Sequence, residues 1–208
     1  MATHVKARAG QEPSVEEQLR HLRDLFAEAP EVGKKAFENV VKEIADQATH
    51  ERPQPVVSAG RVGIRLGTVS ELTMLVPLAP GGAERLRAFL KLLNGNLDGA
   101  TKVGTVHDMR FVFVENDTKL IFATAFDGDW DAYIDDFIAK IPDYLDILSS
   151  SFEGWPGIHS PDAKDYFLRY QIAAEGWYVA HPDLTVADTT RLKRVGAAVD
   201  EFLDQVGG

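Results

Sequence analysis

No cysteine occurs among the 208 residues. A disulfide framework, thiolate metal ligation and a cysteine nucleophile are therefore excluded. The absence fits a reducing compartment, and the expected location is the cytoplasm. No run of 18 apolar residues occurs, so no membrane-spanning helix is expected. The start, MATHVKARAGQEPSVEEQL, has no apolar core of signal-peptide length. Basic charge is scarce: 22 Lys and Arg stand against 32 Asp and Glu, a net charge of -10. That balance argues against nucleic acid, whose phosphates need a basic surface. Residues 127–166 carry ten acids and two bases, a stretch that repels polyanions and reads as a solvated surface. There is no phosphate-binding glycine loop, no GxGxxG and no GxSxG elbow.

Apolar residues make up 45% of the chain, enough for a packed core. Residues 1–13 read as a tail. Residues 14–28 and 33–48 read as helices, the first opened by a Ser14/Glu17 capping box. The segment 51–60, ERPQPVVSAG, reads as a linker. The expected division is a helical extension with linker at 1–60 and an α+β domain at 61–208.

Beyond 60 the period changes to two. Leu72, Met74, Val76 and Leu78 share one face of a strand at 69–78. A helix follows to about 93, stopped by Asn94, Gly95 and Asn96. Residues 103–115 and 119–126 form a hairpin around Glu115, Asn116 and Asp117, apolar on both faces and so expected to be covered on both. Helices are expected at 129–141, from about 161 to 171, and from Thr185 to about 205, with a short strand at 174–180 between the last two. This order matches a ferredoxin-like β-α-β-β-α-β unit with a four-stranded antiparallel sheet.

Six histidines, at 4, 21, 50, 107, 159 and 181, show no i,i+2 or i,i+4 pair and no HExxH. Asp127, Asp129 and Asp131 recur as in a calcium loop, but Ala132 and Ile138 stand where an EF-hand needs glycine and a bidentate glutamate. No metal is expected. The candidate site is GTVHDMR at 104–110. Alternation puts His107 with Met109 and Phe111, and Asp108 with Arg110 on the other face. Polar residues inside so apolar a strand need a reason. One is an Asp108–Arg110 ion pair; the other is a cavity anchored by His107 or Arg110. A bulge near Asp108 would re-aim the side chains after it. Tyr178 and His181 flank the expected last strand end and join the candidates, while Trp130, Tyr133, Tyr144 and Trp155 line a cavity or fill the core.

The segments GTVHDMRFVFV (104–114), LIFATAFDGDWDAYIDDFI (120–138) and WYVAHPDLTVAD (177–188) resemble a poorly characterised group of bacterial proteins. That group is similar to the dimeric α+β barrel superfamily, which includes dye-decolourising peroxidases, chlorite dismutases and small antibiotic-biosynthesis monooxygenases. The resemblance covers roughly 68–205. An aromatic follows the matching histidine in that group, where this chain has Asp108. It implies a dimeric α+β barrel, a homodimer, and a cavity between sheet and helices for binding or oxidising a small apolar molecule. Haem-binding members take an axial histidine from the later helical part, where this chain offers His159 or His181. No cofactor is the first expectation and haem the second; a non-catalytic interaction module is the alternative.

Overall fold

A computed structural model describes residues 14–47, 56–93 and 98–207. The readings made for the tail, for residues 51–55, for the stop at Asn94–Asn96, and for His4 and His50 lie outside them. The chain divides into two compact units, Met1–Pro53 and Gln54–Gly208.

The first unit contains α1 (Val15–Phe26) and α2 (Glu31–Gln47). The Ser14 hydroxyl accepts from the Glu17 amide, and the Glu17 carboxylate accepts from the Ser14 amide, which satisfies two otherwise orphaned donors. Phe26 stacks on Phe37 with ring centroids 4.7 Å apart, joining the two helices.

The second unit begins with β1 (Val57–Ser58), β2 (Ile64–Leu66) and β3 (Val69–Pro77). Next come α3 (Gly82–Leu93), α4 (Asp98–Val103), β4 (Val106–Val114) and β5 (Lys119–Asp127). The chain continues through α5 (Trp130–Lys140), α6 (Pro142–Ser149), α7 (Ala163–Tyr170), β6 (Gln171–Ile172) and α8 (Val186–Val206). The sheet runs β1-β2-β3-β5-β4, with β6 also paired to β3, and every pairing is antiparallel.

The architecture is therefore α+β with an antiparallel sheet, but the expected four-stranded, dimeric α+β barrel form is overturned. Closing a barrel requires the two end strands to hydrogen-bond to each other. Here β1 and β4 end an open path, and β1 is two residues long. The implied resemblance to the barrel superfamily falls with it. The strand expected at 174–180 is also absent. The β3 edge is already taken by β2 at Val69 and Ser70 and by β6 at Thr73 and Met74, so AEGWYVA finds no ladder and Tyr178 is 85% exposed. Residues 103–105 are not strand: α4 occupies 98–103, and Gly104, at φ 82°, turns the chain into β4.

One face of the sheet carries the core. Leu72, Met74 and Phe126 pack with Trp130, Tyr133, Ile134 and Phe137 of α5 and with Phe167 of α7. Val76 and Leu120 pack with Leu86, Phe152 and Tyr166. The register sets Leu75, Ile121 and Val112 side by side on the opposite face, where Val112 is 48% exposed. Among the described residues of one chain that face is partly open.

A buried polar node ties the short strands to the body. Glu71 is 3% exposed, and its carboxylate accepts from the Ile64 amide, the Ala174 amide and the Thr73 hydroxyl. Gln171 accepts from the Trp130 indole at 2.6 Å and donates to the Val62 carbonyl at 3.1 Å. Gly63 is required beside this node. Its φ is +90°, and a Cβ there would sit 2.5 Å from the Glu71 carbonyl oxygen.

Candidate functional site

An apolar cavity of about 60 Å³ lies between the sheet and the helices of the second unit. Alternation supplies its sheet wall: Met74, Phe122, Met109 and Phe111 all project to the helix-covered side. Phe137 and Ile141 come from α5 and its end, and Tyr144, Leu145 and Leu148 from α6. Gly99 of α4 closes one side; a Cβ there would stand 3.4 Å from Ile141 Cδ1. Ser149 and Tyr144 are the polar side chains in the lining. Such a chamber excludes water from apolar ligands and offers little to a charged one.

The register explains why His107 does not take part. A bulge lies between Val106 and Asp108: Val106 pairs with Phe126, and Asp108 already pairs with Ala125. Without a bulge His107, Met109 and Phe111 would share a face. With it, Val106, Met109 and Phe111 stay on the helix side, and His107 is the inserted residue. The Thr124 hydroxyl holds the distortion in place by donating to the Asp108 carbonyl at 2.8 Å. That leaves it free to accept from the Tyr133 hydroxyl at 3.1 Å. Burial pushes the Tyr133 phenol well above its usual value, so it remains a neutral donor.

His107 turns instead to Asp127. Its Nε2 donates to Asp127 Oδ1 at 2.7 Å, since a carboxylate only accepts. Asp127 Oδ2 accepts from the Val186 amide at 2.9 Å, in the first turn of α8. The carboxylate thus sits at a helix N-terminus, where negative charge is favoured. The imidazole is 25% exposed and the carboxylate 13%. The arrangement clamps the strand end to the helix start, with a half-buried imidazole beside it.

The remaining candidates are dispersed. Arg110 lies 3.5 Å from Asp108, with both side chains at least half exposed, which is the ion-pair reading of this strand. Tyr178 projects into solvent, and His181 is exposed, its carbonyl accepting from the Leu184 amide. None of His107, Arg110, Tyr178 and His181 is in the cavity lining. Of the aromatics, Tyr144 lines the cavity, whereas Trp130 and Tyr133 fill the core around it. The bulge considered near Asp108 is present, and the Asp127 partner of His107 is what sequence reasoning missed. Counting back from the 115–118 turn along the hairpin would have put Asp127 near His107.

Haem does not fit this chamber. Its lining contains no histidine, the exposed His159 and His181 lie outside it, and about 60 Å³ is far short of a porphyrin. Among the described residues no group of three or more His, Asp or Glu is arranged to hold a metal ion. The acids at 127–131 are committed elsewhere, Asp129 to Arg65 and Asp131 to Arg61, both at 2.7 Å.

Comparison with known proteins yields no match: no family model, no curated protein and no solved structure corresponds to this chain.

Proposed function

We propose that this protein binds a small apolar molecule in the cavity between the β3-β5-β4 sheet and helices α4 to α6. The observation that carries the reading is the nearly all-apolar lining around Met74 and Met109. Apolar cavities take up apolar atoms such as xenon. Binding is favoured over conversion because His107, the best available base, stands outside the lining. At about 60 Å³ the chamber holds only a few heavy atoms, so a larger ligand requires α4 or α6 to yield.

The chain has three methionines, and two of them line the cavity. Methyl NMR of methionine-labelled protein therefore reports the site directly. Xenon should shift the Met74 and Met109 signals saturably. Gly99→Leu, which fills the chamber, should abolish both shifts. Unsaturable or absent shifts in the wild-type protein would reject the reading.

An interaction module is the second reading, supported by the apolar residues that α8 leaves exposed. The homodimer belongs here as well, and the same exposed residues support it. Among the described residues no helix is long and apolar enough to cross a membrane. The lack of cysteine supports a reducing compartment such as the cytoplasm.

A further inference from the structure

We propose that the cavity takes a small amphiphile, an apolar body of a few heavy atoms carrying one hydroxyl or carbonyl oxygen, and that Ser149 holds that oxygen. The inference rests on the cavity reading above and narrows its ligand class. Ser149 is the last residue of α6, is 3% exposed, and belongs to the cavity lining. Among the described residues its hydroxyl makes no hydrogen bond. A helical serine often donates to the carbonyl four residues back, and Ser149 forgoes that bond. Nearby serines show the ordinary outcome. The Ser150 hydroxyl, at the surface, donates to the Ile147 carbonyl at 2.8 Å. Ser70, also buried, donates to the Gly128 carbonyl. A buried hydroxyl without a partner is unfavourable, and this one stands in the wall of a chamber that can admit a partner.

The chemistry of the wall narrows what that partner is. A buried water needs two to four polar partners. The lining residues that flank Ser149 along the chain are Leu145, Leu148 and Phe152, all apolar. Tyr144, the other polar residue of the described lining, lies five positions earlier, roughly 140° around α6. Its ring lies beside Gly99, with Lys102 Nζ 5.8 Å from the ring centroid. A water at Ser149 would therefore meet one hydroxyl and hydrocarbon. An ion is disfavoured further, because the described lining holds no charged side chain to pair with it. An alkane fills the space and leaves the hydroxyl unpaired. An amphiphile meets both demands: its oxygen bonds to Ser149 while its carbons face Met74, Met109 and Phe122. A serine hydroxyl donates and accepts, so alcohols and carbonyl compounds both fit.

Ethanol and propane are the probes, since they are close in size and differ by one oxygen. Each is titrated against the full chain labelled at its methionine methyl groups, with Met74 and Met109 as reporters. Both should give saturable shifts in the wild-type protein. In Ser149→Ala the dissociation constant of ethanol, divided by that of propane, should rise about tenfold. Taking the ratio cancels the small change in cavity volume that the variant brings. A second readout needs no ligand. An unpaired hydroxyl contributes nothing to the free protein, so Ser149→Ala should leave the urea midpoint unchanged or raise it. A lower midpoint, or failure to fold, would mean that the hydroxyl is paired within the chain and would overturn the assignment. An unchanged ratio overturns it as well. Xenon shifts without ethanol shifts in the wild-type protein overturn this inference and leave the cavity reading standing. Absence of the xenon shifts removes both.

Discussion

Asp129 precedes α5 and Thr185 precedes α8, each a short polar residue ahead of a helical apolar pattern. The better start belongs to α8, whose capping box is complete, while the Asp129 side chain makes no cap and binds Arg65 instead. Yet Trp130, Tyr133, Ile134 and Phe137 of α5 are buried, and α8 buries nothing. The turn at Gly128 and Asp129 joins α5 directly to the end of β5, so Tyr133 lands on Phe126 with ring centroids 3.9 Å apart. The segment 173–185 separates α8 from β6, and the Asp127 carboxylate at the end of β5 holds the first turn of α8. Capping and periodicity thus decide that a helix forms and which side is apolar. The length and direction of the preceding connection decide what that side meets.

The contrast can be broken at several strengths. Phe137→Ala should cost about 3–5 kcal/mol, because the ring packs on Tyr133 and faces the cavity. All three tryptophans lie in the Gln54–Gly208 unit, so urea unfolding followed by fluorescence reads this cost. A loss below about 1 kcal/mol would mean that α5 is not the core helix. Asp127→Ala comes next, at about 2 kcal/mol, since it leaves the His107 ring and the Val186 amide without their acceptor. Amide exchange should rise at the start of α8 and stay unchanged in α5.

Thr185→Ala removes the cap alone and should cost about 1 kcal/mol, again with faster exchange confined to the first turn of α8. His107→Ala should cost no more, and the xenon shift of Met109 should persist, because the imidazole faces Asp127 and not the cavity. Loss of that shift in a stable variant would return His107 to the site.

The smallest effect is electrostatic. The Arg61 hydrogen bond, with help from Lys164, holds the Asp131 carboxyl below the usual range in the first turn of α5. A carboxyl depressed on folding stabilises the folded state above its unfolded pKa of about 3.9. That contribution disappears as pH falls through the lower folded value. The pair is largely exposed, so it is worth less than about 1 kcal/mol. Asp131→Asn should flatten the acid side of the stability profile by that amount, measured as urea midpoints between about pH 6 and pH 3.

Much of the local structure was legible. The period-two run at 69–78, the hairpin at 103–126 and the amphipathic helices at 129–141 and 185–205 all carry their signals in neighbouring residues. The Ser14/Glu17 capping box was readable for the same reason. The site was less so. His107 was assigned to the face of Met109 on strict alternation, and a one-residue bulge moved it to the other. Glu71 drew no reading from the sequence, although its carboxylate joins β2, β3 and the segment after β6. Its partners lie 103 residues away at Ala174 and 7 away at Ile64, and no local pattern announces such a pairing.

By itself the sequence determined where β3, β5, α5 and α8 lie, which side of each is apolar, and which chemistries are unavailable without cysteine or paired histidines. These follow from interactions within a few residues, where spacing is geometry. Only the tertiary structure decided that the sheet stays open, that AEGWYVA is not a strand, that His107 meets Asp127, and that the cavity is lined by Met74 and Met109. Those outcomes depend on competition for a strand edge and on register across the hairpin. Both are settled by residues far apart in the chain.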